Sequence, residues 1–285
     1  MKNATTKTTD SPRLIGGHLS ITGGLTTSIR KTVEIGGNCL QIFSSSPRSW
    51  APRNVDNAEI TEFVRSKKEL GIDPVYFHAS YLINLADKEE IGQRSVNSLI
   101  FELNLAAKIE VRGSIVHLGS YSNGHADYET LIKNCKTVLA KTPAETLFII
   151  ENAGSRKIGM TIEEIGRIVR DLQSSRVRIC LDTCHLHAAG FDLATERKFD
   201  VFFKEFDKKI GLGRLELLQV NDSKFGFGEF RDRHENIGAG TIPPETFHLL
   251  LTDERTKSKP FILETPGFDH QGPDLRNIEA LLCLA

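Results

Sequence analysis

LFIIENAGSRKIGMTIEEIGRIVRDLQSSRVRICLDTCH, residues 147–185, carries the repeating unit of the fold. Leu147–Ala153 opens as an apolar run with no polar alternation before Glu151, the pattern of a strand buried on both faces. Ile162–Leu172 places apolar residues at helical spacing, and Thr161 followed by Glu164 just ahead of that stripe fits a capping box. Arg178–His185 is a second apolar run. Strand, helix and strand in that order form a parallel crossover unit. Both runs end in groups that bind protons or metals: Glu151 in the first, Asp182 and His185 in the second.

The same alternation continues on either side. Leu14–Ser20, Cys39–Ser45, Pro74–Ser80 and Ser114–Gly119 precede the unit, and Leu215–Asp222 and Phe261–Gly267 follow it, making eight runs. Between them, Ala58–Leu70, Ile91–Ile109, Tyr128–Leu139, Asp200–Ile210 and Pro244–Leu251 show helical periodicity, and Gly71 and Gly211 stand where helices should stop. Eight strands alternating with helices in 285 residues predict one α/β domain, a (β/α)8 TIM barrel over residues 13–285. An open doubly wound sheet is the competing arrangement. It is weakened because neither a Gly-x-Gly-x-x-Gly pattern nor a P-loop follows the first run. Residues 1–12 are polar and Thr-rich with no apolar segment, and are expected to be a disordered tail rather than a secretory signal.

Composition narrows the setting. Apolar content of 39% and charged content of 26% are those of a soluble globular protein. A net charge of -1 gives no global attraction for a polyanion, so any nucleic-acid contact must be made by a local patch. The five cysteines have no paired spacing, which argues against a disulfide framework and for a reducing, cytoplasmic compartment, with Cys180 and Cys184 as buried thiols. No stretch has the ~20 apolar residues of a membrane span.

The runs end in polar residues: His18, His78, His117, Glu151, Asp182 with His185, Asn221 with Asp222, and Glu264, while Arg48 follows the second run closely. In a barrel these ends converge on one face, where active sites are built. Mixed histidine and carboxylate ligands suit Zn2+, Mn2+ or Fe. Asp182-Thr-Cys-His185 and Asp232-Arg-His234 are short chelating pairs, and the whole set is large enough for more than one ion. Ions about 3.5–4 Å apart can clamp the attacking and leaving oxygens of a phosphoryl displacement. The loop from Lys224 to His234 interleaves Lys224, Arg231 and Arg233 with Phe225, Phe227 and Phe230, a composition suited to a nucleic-acid backbone or to a loop packed by its own rings.

From Leu14 almost to the C-terminus the chain resembles the endonuclease IV family of abasic-site endonucleases. The resemblance is carried, in order, by HASYLINLA (His78–Ala86), VHLGS (Val116–Ser120), IIENAG (Ile149–Gly154), LDTCHLHAAGFD (Leu181–Asp192), VNDSK (Val220–Lys224), DRHENIGAG (Asp232–Gly240) and LETPG (Leu263–Gly267). It implies a barrel with three zinc ions that cleaves the phosphodiester 5′ to an abasic nucleotide, leaving 3′-OH and 5′-deoxyribose phosphate ends, and trims blocked 3′ ends. It implies double-stranded DNA as partner and a monomeric enzyme.

By matching position, His78, His117 and Glu151 would hold one zinc, with Glu151 the catalytic bridge to a second held also by Asp182 and Glu264. His185, Asp232 and His234 would hold the third, and His18 would stand behind the ligands. Arg48, Tyr81 and Leu82 would enter the DNA at the lesion; Lys224 and Arg233, from the composition of their loop, are expected on its backbone.

One position departs. The family has a histidine ligand of the second ion two residues before the Asn-Asp pair, and this chain has Gln219. A neutral amide oxygen is a weaker zinc ligand than imidazole, so the second site is expected to be the weakest, or to take Mn2+ or Mg2+. Two other functions compete: a metal-dependent sugar isomerase or epimerase on the same barrel, and a non-catalytic lesion-binding protein.

Overall fold

The structure, a computed structural model, describes residues 13–121 and 124–285; the expected tail at 1–12 lies outside the described residues. Eight parallel strands close into a barrel in chain order: β1 (Ile15–His18), β2 (Cys39–Phe43), β3 (Val75–His78), β4 (Gly113–Val116), β5 (Leu147–Glu151), β6 (Val177–Asp182), β7 (Leu215–Gln219) and β8 (Phe261–Leu263), with β8 pairing back onto β1. The strands are shorter than the apolar runs, whose polar ends form the loops at the C-terminal face. A two-residue antiparallel ladder, Asp222–Ser223 with His234–Glu235, stands outside the barrel sheet.

Side chains alternate across each strand. One face points outward to the helices, where Leu40, Ile42, Val75 and Phe77 pack in one cluster and Phe148, Ile150, Ile179 and Leu181 in another. The other face fills the barrel: Cys39, Tyr76, Ile115, Ile149, Cys180, Leu217 and Ile262 form a plug, each at most 1% exposed. Gly16 takes the corresponding place on β1, where a Cβ would collide with the Cys39 carbonyl.

Ile162–Leu172 is helical as the periodicity predicts, and Thr161 Oγ1 accepts from Glu164 N at 3.2 Å. The reciprocal half of the box is redirected, because the Glu164 carboxylate accepts from Gly159 N at 2.8 Å. Three further helices carry weak sequence signals. Leu25–Glu34 buries Ser28 and Thr32 on its inner stripe, and their hydroxyls bond back to Leu25 and Ser28 carbonyls, so half the stripe reads as polar. Leu275–Leu282 is capped by Asp274. Thr183–Ala189 begins inside the run expected to be strand, because Asp182 ends β6 and caps that helix by accepting from His185 N at 2.8 Å.

Candidate metal centre

The plug positions the site. Two residues beyond each plug residue, on the same inward face, stand His18, Gln41, His78, His117, Glu151, Asp182, Gln219 and Glu264. All eight are polar, and they form a ring at the C-terminal mouth of the barrel.

Half of that ring converges. The Glu151 carboxylate, 1% exposed, has His78 Nε2 at 3.1 Å, His117 Nε2 at 3.3 Å and His185 Nδ1 at 3.1 Å. His185 Nε2 lies 3.1 Å from Asp232 Oδ2, and His234 Nε2 lies 3.5 Å from Asp182 Oδ2 and 3.7 Å from Asp232 Oδ1. His78, His117 and Glu151 bring ligand atoms within 4.8 Å of one another, as do His185, Asp232 and His234, and Glu151, Asp182 and His185. Cys184 joins Asp182 and His234 in a fourth such group. Burial pushes that thiol up to about 12. The sequence presents Cys184 only as a buried thiol.

Hydrogen bonds orient the imidazoles. His78 Nδ1 donates to Ala79 O at 2.7 Å, His185 Nδ1 to Asn152 O at 2.9 Å and His234 Nδ1 to Glu264 O at 3.2 Å. A carbonyl only accepts, so each Nδ1 carries a proton and each Nε2 turns inward toward the carboxylates. This is how metal-bound histidines are held. Glu151 Oε1 and His234 Nε2 are buried among these groups without a hydrogen bond, as atoms facing a shared cation would be. The donor set therefore fits divalent ions.

The charges agree. Burial opposes ionisation of Glu151, but His117, His185 and His78 around it hold its carboxyl well below the usual range. Burial pushes His117 down to about 4. It also opposes protonation of His78, yet the Glu151 hydrogen bond and charge raise that imidazole to about 9. Protons therefore compete with ions for this cluster in acid.

The other half of the ring, His18, Gln41, Gln219 and Glu264, is tied to itself. Gln41 Nε2 donates to Glu264 Oε1, His18 Nδ1 lies 2.7 Å from the same oxygen, and Gln219 Nε2 donates to Gln41 Oε1 at 3.2 Å. Burial opposes ionisation of Glu264, but the His18 hydrogen bond holds its carboxyl down to about 2. Glu264 belongs to none of the metal-sized groups of histidine, cysteine and carboxylate ligands among the described residues. Gln41, fully buried within an apolar run, escaped the sequence reading. Counting two residues on from the inward Cys39 would have found it.

Around the ring an open cavity of about 1060 Å³ is lined by His18, Ser46, Arg53, Tyr81, Arg233 and Gln271. Tyr81 is 62% exposed and stands edge-on to Phe43 at 5.4 Å, Leu82 beside it is half-buried, and Arg48 is exposed on the loop after β2. Lys224 and Arg233 are exposed on the loop bearing Asp232 and His234. Asp222 fastens that loop at its base, accepting from Ser223 N, Gly238 N, Gly240 N and Ile242 N at 2.8–3.0 Å. The interleaved aromatics serve the loop's own packing in part, since the Arg231 guanidinium lies 3.4 Å over the Phe225 ring. His187 is not with the ligands; its Nε2 lies 3.2 Å from Thr241 Oγ1.

Comparison with known proteins adds a lineage to this geometry. Residues 29–283 match the family model of xylose isomerase-like TIM barrels. A "Probable endonuclease 4" of Persephonella marina is 35% identical over 274 residues, covering 94% of this chain and 95% of that protein. The crystal structure of endonuclease IV from Thermus thermophilus superposes with a TM-score of 0.84 at 34% identity, over 96% of this chain and 100% of that one. A 3-keto-D-glucoside 4-epimerase from E. coli shares the fold with a TM-score of 0.67 at only 16% identity, which speaks for the barrel alone. A closed barrel with a histidine–carboxylate ring at its mouth, matched over almost its whole length, places this chain in the endonuclease IV family of the xylose isomerase-like TIM barrels.

Proposed function

We infer that this protein is a metal-dependent DNA-repair endonuclease that hydrolyses the phosphodiester 5′ to abasic nucleotides, leaving 3′-OH and 5′-deoxyribose phosphate ends, and that also trims blocked 3′ ends. The observation that carries the reading is the set of three histidines whose Nδ1 protons go to backbone carbonyls while their Nε2 atoms face carboxylates, the buried Glu151 and Asp182 and the exposed Asp232. His78, His117 and Glu151 would hold one ion and His185, Asp232 and His234 another, with Asp182 between them. Zinc suits this mixture of imidazole and carboxylate. Divalent ions bound there supply Lewis acidity toward water and toward the phosphodiester.

The chain's own groups do the rest. Glu151 sets the charge at the centre, between the two halves of the cluster. Arg233 lines the cavity and Lys224 is exposed on the same loop, and both would make phosphate contacts that position a duplex without reading its bases. Arg48 on the loop after β2 and Tyr81 and Leu82 on the loop after β3 would wedge into the duplex where a base is missing and unstacking costs least. No described helix is long and apolar enough to cross a membrane, and the enzyme would act as a cytoplasmic monomer.

The test is incision of a duplex with one abasic site, before and after prolonged chelation and again after adding Zn2+ or Mn2+. Chelation should abolish incision and either ion should restore it. Full incision by protein shown to be metal-free would defeat the reading.

A further inference from the structure

The ring divides by chemistry. On β3 to β6 it presents His78, His117, Glu151 and Asp182, which face one another across metal-sized gaps. On β7, β8, β1 and β2 it presents Gln219, Glu264, His18 and Gln41, which hydrogen-bond among themselves.

The orientation of this second half follows from one atom. A carboxylate oxygen only accepts, so Gln41 must turn its NH2 toward Glu264 Oε1. Its carbonyl then faces Gln219, which must answer with its own NH2 at 3.2 Å. That leaves the Gln219 carbonyl, its one metal-binding atom, directed at Cys180, whose thiol donates to it at 3.2 Å. Every member of this relay is fully buried apart from Glu264 and His18 at its mouth. Gln41 and Gln219 thus spend their amides on Glu264, on one another and on Cys180, and turn no amide oxygen toward Glu264.

We propose that this chain holds two divalent ions at its centre rather than the family's three, because the Cys180–Gln219–Gln41–Glu264 relay closes the second site. Gln41 and Gln219 are positioning residues. They hold Glu264 Oε1 beside His18. The proposal rests on the metal-centre reading above, but not on the identity of the DNA lesion.

The test is zinc content per folded chain after reconstitution with excess Zn2+ and dialysis, with incision of an abasic duplex measured on the same preparation. The unmodified protein should retain two zinc ions, and retention of three overturns the proposal whatever the incision rate. Two zinc ions without incision would sink the proposed function and leave this inference standing. Glu264→Gln separates ligand from bystander: zinc should stay at two, and a fall to one would overturn the proposal. Gln219→His replaces the closing amide with an imidazole and should raise retention to three. A folded Gln219→His protein that still holds two would show that Gln219 does not close the site.

Discussion

The plug and the ring lie on the same eight strands, two residues apart, and have opposite characters. Ile149 and Glu151 share one face of β5; Cys180 and Asp182 share one face of β6; Tyr76 and His78 share one face of β3. A step of two residues is about 6.6 Å along a strand. Over that distance the barrel interior changes from apolar side chains at most 1% exposed to a shell of carboxylates, imidazoles and two amides. Because both sets hang from one backbone, close packing below fixes the geometry above. The plug should therefore govern stability, and the ring chemistry.

The sharpest separation of the two is Glu151→Gln, which keeps shape and removes the central charge. Incision should fall about a thousandfold, ~4 kcal/mol of barrier, with duplex affinity little changed, because phosphate contacts lie elsewhere. A loss below about tenfold would take Glu151 out of the centre. Its neighbour below gives the converse. Ile149→Ala leaves a cavity in the plug and should lower unfolding free energy by roughly 2–5 kcal/mol, while the folded fraction keeps its zinc content. If zinc were lost before stability in urea titrations, the two layers would not be separable.

A buried carboxylate outside the ring supplies a control. Glu102 is buried between β2, β4 and the helix Glu90–Lys108, and is met by the Ser44 and Ser114 hydroxyls. Burial outweighs those hydrogen bonds and raises its carboxyl to about 7, against the depressed Glu151 among its histidines. Between the ordinary value of 4.5 and about 7, the unfolded chain loses this proton and the folded chain keeps it. Stability therefore falls as pH rises through that window and levels off above it. Glu102→Gln should flatten the fall by a few degrees of Tm between about pH 5 and pH 8. Parallel profiles for the two proteins would assign the slope to another group. Smallest of all is Tyr81→Ala, beyond the ring and 62% exposed. It should weaken binding to an abasic duplex by about tenfold, ~1.4 kcal/mol, and binding to intact duplex by less. Equal weakening of both would make Tyr81 a general surface contact.

The ring was legible where an apolar run stopped at a group of obvious chemistry, as at His78, Glu151 and Asp182. It was illegible at Gln41, where a polar residue sits mid-run and only the inward register distinguishes it from a solvent-facing side chain. The helix at Thr183 was hidden for a related reason. Cys184 and Leu186 continue the apolar pattern of β6, and the break is made by the Asp182 side chain capping the helix, not by a change of composition. The relay around Gln219 depends on which way two amides point, and that is set by a carboxylate far away in sequence.

Asp222 closes the loop from Ser223 to Ile242 at its base, while Asp232 and His234 sit near its middle. A strap fixed at its base, held also by Gly228 N on His187 O and Phe230 N on Ala188 O, would, if an ion bridged Asp232 and His234 to His185 at the barrel mouth, have to release that ion to open. The free energy of opening then includes that of ion binding: at a free zinc concentration ten times the dissociation constant, about 1.4 kcal/mol is added. Lys224, Arg231 and Arg233 are exposed along the strap, so trypsin can report on it. Cleavage there should slow by about tenfold as zinc rises through that range, which turns a nicking rate into a measure of ion affinity needing no DNA. A rate indifferent to zinc would mean that the strap stays shut by its own packing.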